Sequence, residues 1–460
     1  MHTQCTSEQL EFSCVERRRV VAAFDGGRVS SDAGALLLKR TDEAIRLIDR
    51  LAECFVDHRD AGAIEHSVRT LVAQRVFGIA LGYEDLNDHE TLRHDAVFGV
   101  LIGKLVARRR RCAALAGKST LNRLELHPSS RISRYHKILP RGEAIERLWV
   151  EQFLEAHREA PEEIVLDLDA TDDPLHGHQE GRFFHGFYDH YCYLPLYIFC
   201  GEHLLCAKLR RSNIDASAGA LEEVERIVGL IGERWPQTRI ILRADSGFAR
   251  EALMSWCEGH GIHYVFGLAR NARLQRAIGA ELHQVALESA RTREPARRFK
   301  ELTYATRRSW SRRRRVIGKA EHTADKSNPR FVVTSLSIQE IAARELYEQL
   351  YCARGEMENR IKEAQLDLFA DRLSTATFRA NQLRLWFASA AYVLMHALRR
   401  LALAGTALSR ACAHTIRLKL LKIGAVITVS VRRVRLAMSE ACPYQREFIA
   451  AFHALGAAAR

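Results

Sequence analysis

Ile164-Val-Leu-Asp167-Leu-Asp169-Ala-Thr171-Asp172-Asp173-Pro174 is the stretch from which the rest of the chain can be read. An apolar run with strand propensity carries aspartates at alternate positions, then stops at an acidic turn and a proline. Side chains alternate along a strand, so Val165, Asp167 and Asp169 share one face, and Ile164, Leu166 and Leu168 share the other. A carboxylate on a buried strand is costly unless a cation pairs with it. The next basic residue along the chain is only Arg182. Two readings fit: hard oxygen ligands for a divalent metal, or a strand that ends in a solvated acidic turn. Asp169, nearer the strand end and close to Thr171, is the preferred first ligand, and Asp167 is its rival. Asp172 or Asp173 would support the ligands from behind.

The 460 residues are 47% hydrophobic and 27% charged, enough for two or three ordinary domains. A formal net charge of +13 points to a polyanionic partner, nucleic acid first. No apolar run approaches a membrane span, and Met1 to Ser13 lacks the pattern of a signal peptide. The 11 cysteines form no CxxC pair. Scattered reduced thiols fit a cytoplasmic protein.

Residues 1–155 read as a mainly helical, DNA-binding region. Ser30-Ser31-Asp32 is placed to cap a helix, and a second helix near Ser67–Leu81 closes at Gly82. The polar segment 82–95 then leads into a helix over Ala96–Val106. This is either a DNA-binding helix pair or a plain helical hairpin. Arg108–Arg111 is a solvated helix end or a phosphate contact. Ala116-Gly117-Lys118-Ser119 imitates a phosphate loop, but Cys112 stands where its first glycine belongs and no strand precedes it.

From 156 to 400 strands and helices alternate. Strands are expected at Ile164–Asp169, Tyr191–Cys200, His203–Leu209, Thr238–Arg243 and His263–Leu268. Helices are expected at Ala218–Trp235 and Arg250–Glu258. This is an α/β layout with a mixed sheet. Residues 270–335 read as a basic β-rich insertion, with strands near Phe299–Thr306 and Phe331–Leu336. Between Arg291 and Arg330 there are 14 Lys/Arg against 4 Asp/Glu. A long helix is expected over Ile341–Leu368 and another over Thr377–Leu401. Residues 401–460 form a basic C-terminal region around a β-prone run, Ala425–Val431.

Asp245 follows the strand Thr238–Arg243 as Asp169 follows its own, and sites in open α/β sheets form at strand ends. On the long helix, Tyr351, Arg354, Glu358, Lys362 and Gln365 recur at steps of three and four, so they share a face. Leu346, Leu350, Met357, Ile361 and Leu368 make the adjacent apolar stripe. Asp169, Asp245 and Glu358 therefore form a candidate two-metal site for phosphoryl transfer. Arg354 would fork onto a phosphate, and Tyr351 would contact phosphate or sugar; the other reading is a surface helix laced by Arg–Glu pairs.

Asp169-Ala-Thr171, Leu242-Arg-Ala-Asp245-Ser-Gly-Phe248 and Tyr351-xx-Arg354-xxx-Glu358 resemble the DDE transposases of bacterial insertion sequences. The closest likeness is to the IS-thirteen-eighty group within the IS-four-like class. Phe24-Asp-Gly-Gly-Arg28, Ser31-Asp32, Gly82-Tyr-Glu-Asp85 and Leu92-Arg-His-Asp95 share it, so the likeness spans about residues 20–400. It implies a ribonuclease-H-like mixed-sheet core, catalytic and metal-binding Asp169, Asp245 and Glu358, and two Mg²⁺ ions, for which Mn²⁺ substitutes. It also implies double-stranded DNA partners, at terminal inverted repeats and at the target, engaged by a homodimer in cut-and-paste transposition. The 113 residues from Asp245 to Glu358 exceed the roughly 30 of a simple crossover, in line with an insertion.

The family helix carries a lysine seven residues after the glutamate, where this chain has Gln365. Lys362 is the expected substitute for that phosphate contact. Arg312, Arg313, Arg314 and Arg315 are expected to grip DNA near the cut. Trp310 among them stacks on an unpaired base or fills core. The spacing of His176, His178, His185, His190 and His203 matches no compact zinc module. The alternatives to a transposase are a structure-specific DNA nuclease and an inactive DNA-binding descendant, and flanking inverted repeats would separate them.

Overall fold

β1 (Glu163–Ala170) lies inside a nine-stranded mixed sheet in the computed structural model, which describes residues 8–126, 131–323 and 326–458. Its partners are β2 (Leu196–Cys200), β3 (His203–Lys208), β4 (Arg239–Ala244), β5 (His263–Leu268), β6 (Ala296–Tyr304), β7 (Arg314–Thr323) and β8 (Arg330–Thr334). The order across the sheet is β3-β2-β1-β4-β5-β8-β7-β6, with the short strand Lys326–Ser327 beside β7. β1, β2 and β3 form an antiparallel meander; β4 is parallel to β1, and β5 to β4.

One sequence expectation changes here. The strand expected over Tyr191–Cys200 is two strands. Proline has no N–H for a ladder, and the chain breaks at Leu194-Pro195. His190–Tyr193 pairs instead with Asp173–Pro174 and Phe183–His185 in a small sheet of its own. The segment 270–335 contains β strands as expected, and they join the main sheet: β8 pairs antiparallel with β5. Two helices, Ala272–Ala277 and Gly279–Thr292, precede them.

The chain divides into two compact units, 1–124 with 132–138 and 394–460, and 125–131 with 139–393. In the second unit, α1 (Gly142–Glu155), α2 (Ala220–Arg234) and α3 (Glu251–Gly259) supply the helical side of a large apolar core. Leu166, Leu168, Ile198, Ile240, Leu242 and Phe266 come from the sheet. The alternate residues Ile241, Val265, Ile317 and Val332 face the other way and pack on Leu346 and Tyr347 of a long helix, α4 (343–367). α4 is not uniform. It makes a π-helical turn at Leu346–Tyr351, a tight 3₁₀ turn at Cys352–Arg354, an α segment at Gly355–Lys362 and a second π turn at Glu363–Asp367. Its expected apolar stripe is inward: Leu346, Met357, Ile361 and Leu368 are buried.

The first unit joins both ends of the chain, so the segment from 394 onward packs with the N-terminal region instead of standing apart. Strand Val29–Ser30 pairs with Ala425–Val429, which pairs with Val434–Met438. Two of the N-terminal motifs meet the C-terminal segment. Tyr83 donates to Asp32 (2.8 Å), and Lys422 pairs with the same carboxylate (2.7 Å) and donates to the Tyr83 hydroxyl (2.9 Å). Arg417 donates to the Ala80 carbonyl (2.9 Å) at the end of helix Val68–Ala80, beside Gly82, whose φ of +93° suits glycine. Helix Val68–Ala80 is buried from Thr70 onward, and Ala96–Ile102 buries Val97, Phe98, Leu101 and Ile102. Both helices are thus largely engaged in core packing. Among the described residues no helix is long and apolar enough to cross a membrane.

Candidate active site

The cation missing near Asp167 in the sequence arrives from the neighbouring strand. β1 and β4 run parallel with Asp167 opposite Arg243. Arg243 grips both carboxylate oxygens, at 2.5 and 2.7 Å. Its third contact is a donation to the Leu350 carbonyl at 2.5 Å, within the first π turn of α4. Both side chains are buried. Burial pushes the Asp167 carboxyl above the usual range, against the pull of Arg243. Asp167 is thereby committed to an internal pair that fastens α4 to the sheet.

Asp169, two residues on, sits at the strand end. Asp245 begins the turn after β4, one step past the last pairing of β4 with β1, which sets it beside Asp169. The Gly247 N–H donates to Asp245 Oδ1 (2.8 Å) and fixes its rotamer. Arg354 of α4 reaches Asp169 Oδ2 at 3.3 Å and Glu358 Oε1 at 2.6 Å. One guanidinium thus spans two of the three carboxylates. The Asp169 carboxyl is pushed up to about 6, first by burial; Arg354 lowers it, and Asp245 and Glu358 raise it.

Gly267 of β5 shows how tightly the site is packed. A Cβ there would lie 2.6 Å from the Tyr351 hydroxyl and 2.9 Å from the Ser246 nitrogen. The sequence reading missed it, although a lone glycine in a strand is the usual sign of close approach. A cavity of about 510 Å³ opens beside it, lined by Asp245, Tyr347, Tyr351, Arg354, Arg270 and Arg330. Tyr188 was also missed. Its hydroxyl donates to the Ala170 carbonyl (3.4 Å), and burial, with Asp172, Asp169 and Asp245, pushes it up to about 12.

The remaining candidates separate clearly. Lys362 is exposed and does not pair with Glu358, which is taken by Arg354. Gln365 turns away from any phosphate: its amide donates to Asp173 Oδ1 (2.7 Å) and to the Asp172 carbonyl (3.1 Å). Asp173 is fully buried, which raises its carboxyl well above the usual range. Of the four arginines, Arg314 is 2% exposed, paired with Glu251 (2.7 Å) and Glu258 (2.6 Å). Arg315 holds Glu301 (2.6 Å) and the carbonyls of Leu336, Ser337 and Ile341. Those two serve the fold and offer no free face. Arg312 and Arg313 are exposed, and Arg312 leans on Glu258 at 3.1 Å. Trp310 packs against the core, edge-on to Tyr304 and under Arg314. The histidines scatter: His190 binds Asp172 (2.7 Å), and His203 packs on Phe153 and His157.

Among the described residues no group of three His, Cys, Asp or Glu side chains is arranged to hold a metal ion as it stands. Arg354 lies between two of the candidate ligands. The donor set nevertheless suits a hard divalent cation: three carboxylates gather around one guanidinium, and the half-buried Asp169 has a raised proton affinity.

The rivals Asp167 and Asp169 should respond oppositely to substitution. Asp167→Ala strands a buried guanidinium and should cost about 3–5 kcal/mol of stability. For Asp169 the folded value, about 6, lies above the unfolded one. Below about pH 4 both states hold the proton; between about 4 and 6 only the folded state does, so stability falls as pH rises through that window. Asp169→Asn should then exceed the wild type by about 3 kcal/mol at neutral pH and match it near pH 4. Urea unfolding in chelator across pH measures both. On α4, Gln365→Ala should cost about 1–3 kcal/mol by leaving Asp173 unsatisfied, whereas exposed Lys362→Ala should leave the unfolding midpoint unchanged.

The sequence profile described as Transposase DDE domain group 1 matches residues 12–459. No match is found among curated proteins. A solved structure, the cryo-EM synaptic complex of piggyBac transposase with hairpin DNA, is similar with a TM-score of 0.40 and 11% identity. That alignment covers 85% of this chain and 80% of the other. With the family profile spanning nearly the whole sequence, the chain belongs to the DDE transposase family, Transposase DDE domain group 1.

Proposed function

We propose that this DDE transposase moves a bacterial insertion sequence of the IS-thirteen-eighty group, within the IS-four-like class, by cut-and-paste. The observation that carries the reading is the convergence of Asp169, Asp245 and Glu358 at one end of two adjacent parallel strands. The strand order β3-β2-β1-β4-β5, an antiparallel meander followed by two parallel strands, supports a ribonuclease-H-like core. Asp169, Asp245 and Glu358 would hold two Mg²⁺ or Mn²⁺ ions, which when bound supply charge stabilisation to the attacking and leaving oxygens of phosphoryl transfer.

The chain's own groups do the rest. DNA phosphate competes with the carboxylates for Arg354, whose planar fork then orients the scissile group. Tyr351, held against Gly267, hydrogen-bonds phosphate or sugar from the same helix face. Lys362, exposed and one turn past Glu358, neutralises the next phosphate. Arg312 and Arg313 extend the contact along the duplex. Hydrolysis of one strand at each terminal inverted repeat leaves a 3′-OH, and that hydroxyl attacks the opposite strand or the target. A homodimer working on DNA in the bacterial cytoplasm would bring two ends together.

Asp169→Ala, Asp245→Ala and Glu358→Ala should each lower Mg²⁺-dependent cleavage of end DNA by about a thousandfold, equivalent to about 4 kcal/mol. End affinity should stay within about twofold, because phosphate contacts elsewhere carry binding. Gel cleavage and anisotropy titrations report the two quantities. Cleavage that survives in any of the three variants sinks the assignment of that residue. Replacing Arg312 and Arg313 together by Gln should make the plot of log K against log salt shallower by about 2. Arg314→Gln should instead destabilise the fold, so the salt series and a thermal melt separate surface from internal arginines.

A further inference from the structure

The hairpin of the first unit, Ala425–Val429 and Val434–Met438, has no part in the site above. Its base is anchored. Ala425 pairs with Ser30, the Ile427 N–H donates to the Arg28 carbonyl (2.8 Å), and both Ala425 and Ile427 are buried. Its tip is closed by its own polar groups: the Ser430 hydroxyl and N–H both donate to the Arg433 carbonyl, at 3.0 and 2.9 Å. Beyond Ile427 the ribbon is bare. Thr428, Val429, Ser430, Val431, Arg432, Arg433 and Arg435 are all exposed.

The composition of this arm is one-sided. Residues 425–438 hold three arginines and no acidic residue. Among the described residues, Arg432, Arg433 and Arg435 make no ion pair, unlike Arg314 and Arg315. Three valines, Val426, Val429 and Val431, stand exposed between them. An isolated two-stranded hairpin is marginal in water, so a free arm of valines and unpaired arginines is suited to a polyanion with apolar edges. Duplex DNA has both. Its major groove, about 12 Å wide, admits a two-stranded β ribbon, its phosphates flank the groove, and thymine methyls line it.

We propose that this ribbon is a second DNA-binding element that enters a groove of duplex DNA. Arg432, Arg433 and Arg435 bind phosphates, and Val431 at the tip lies against base or sugar edges. The assignment rests on the transposase reading only for the polyanion being DNA. It requires nothing of Asp169, Asp245 or Glu358.

The test uses the full-length protein and a fluorescent random-sequence duplex. Arg432→Gln, Arg433→Gln and Arg435→Gln are combined in one variant, and Val431→Ser is made alone. The triple variant should make the salt plot shallower by about 2–3, from roughly 0.9 per phosphate contact, with an unchanged melting temperature. Val431→Ser should weaken binding a fewfold without changing the slope. A slope change below about 1 overturns the proposal, as does loss of self-association at unchanged slope, which would make the ribbon a protein contact. Wild-type protein that cuts end DNA while the triple variant binds identically overturns the ribbon alone. Wild-type protein that neither binds nor cuts DNA overturns the functional reading with it.

Discussion

The buried pair of Asp167 and Arg243 governs the geometry of the site. It ties β1 to β4, and through the Leu350 carbonyl it ties both to α4. Those three elements carry Asp169, Asp245, and Arg354 with Glu358. A buried ion pair contributes little net stability, because desolvation offsets most of the attraction. What it supplies here is position: an apolar pair of similar volume would pack the strands but would not hook a carbonyl on the first π turn. π turns recur at functional sites because they shift the register of the side chains that follow. Arg354 and Glu358 follow this one.

The candidate site is built against its own stability. Asp169 is half-buried beside two other carboxylates, and Arg354, with the Ala170 N–H, offsets them. On the proposed reading, the group that meets DNA phosphate is the same group that offsets the carboxylates in its absence. Substrate and carboxylates would then compete for one guanidinium, and a divalent cation would relieve the charge that Arg354 leaves behind. Gln365 and Asp173 show a neutral solution to the same problem. There a fully buried carboxyl has a raised proton affinity and is held by an uncharged amide.

A net charge of +13 correctly pointed to a polyanion but said little about which arginines meet it. Arg312 to Arg315 are consecutive, yet the strand pleat and the start of β7 send two inward to carboxylates and leave two outside. Exposure without a carboxylate partner is a different criterion, and by it Arg432, Arg433 and Arg435 stand out in a part of the sequence where no motif drew attention.

Much of the core was legible from local pattern. The period of two in Ile164–Asp169, the strand that runs into Asp245, and the spacing of Tyr351, Arg354 and Glu358 are short-range features, set by backbone geometry. Family motifs added the order of the three carboxylates. What local pattern could not show were partners far along the chain. Arg243 lies 76 residues after Asp167, and Gln365 lies 192 after Asp173. The pairing of β8 with β5 joined the expected β-rich segment to the main sheet. The meeting of Asp32 and Tyr83 with Lys422 tied two motifs of the family likeness to the far end of the sequence. In each case a buried charge or an open strand edge had to be satisfied. The sequence by itself determined which residues carry that need, and only the tertiary structure decided what meets it, because desolvation and strand pairing act between residues brought together by the fold.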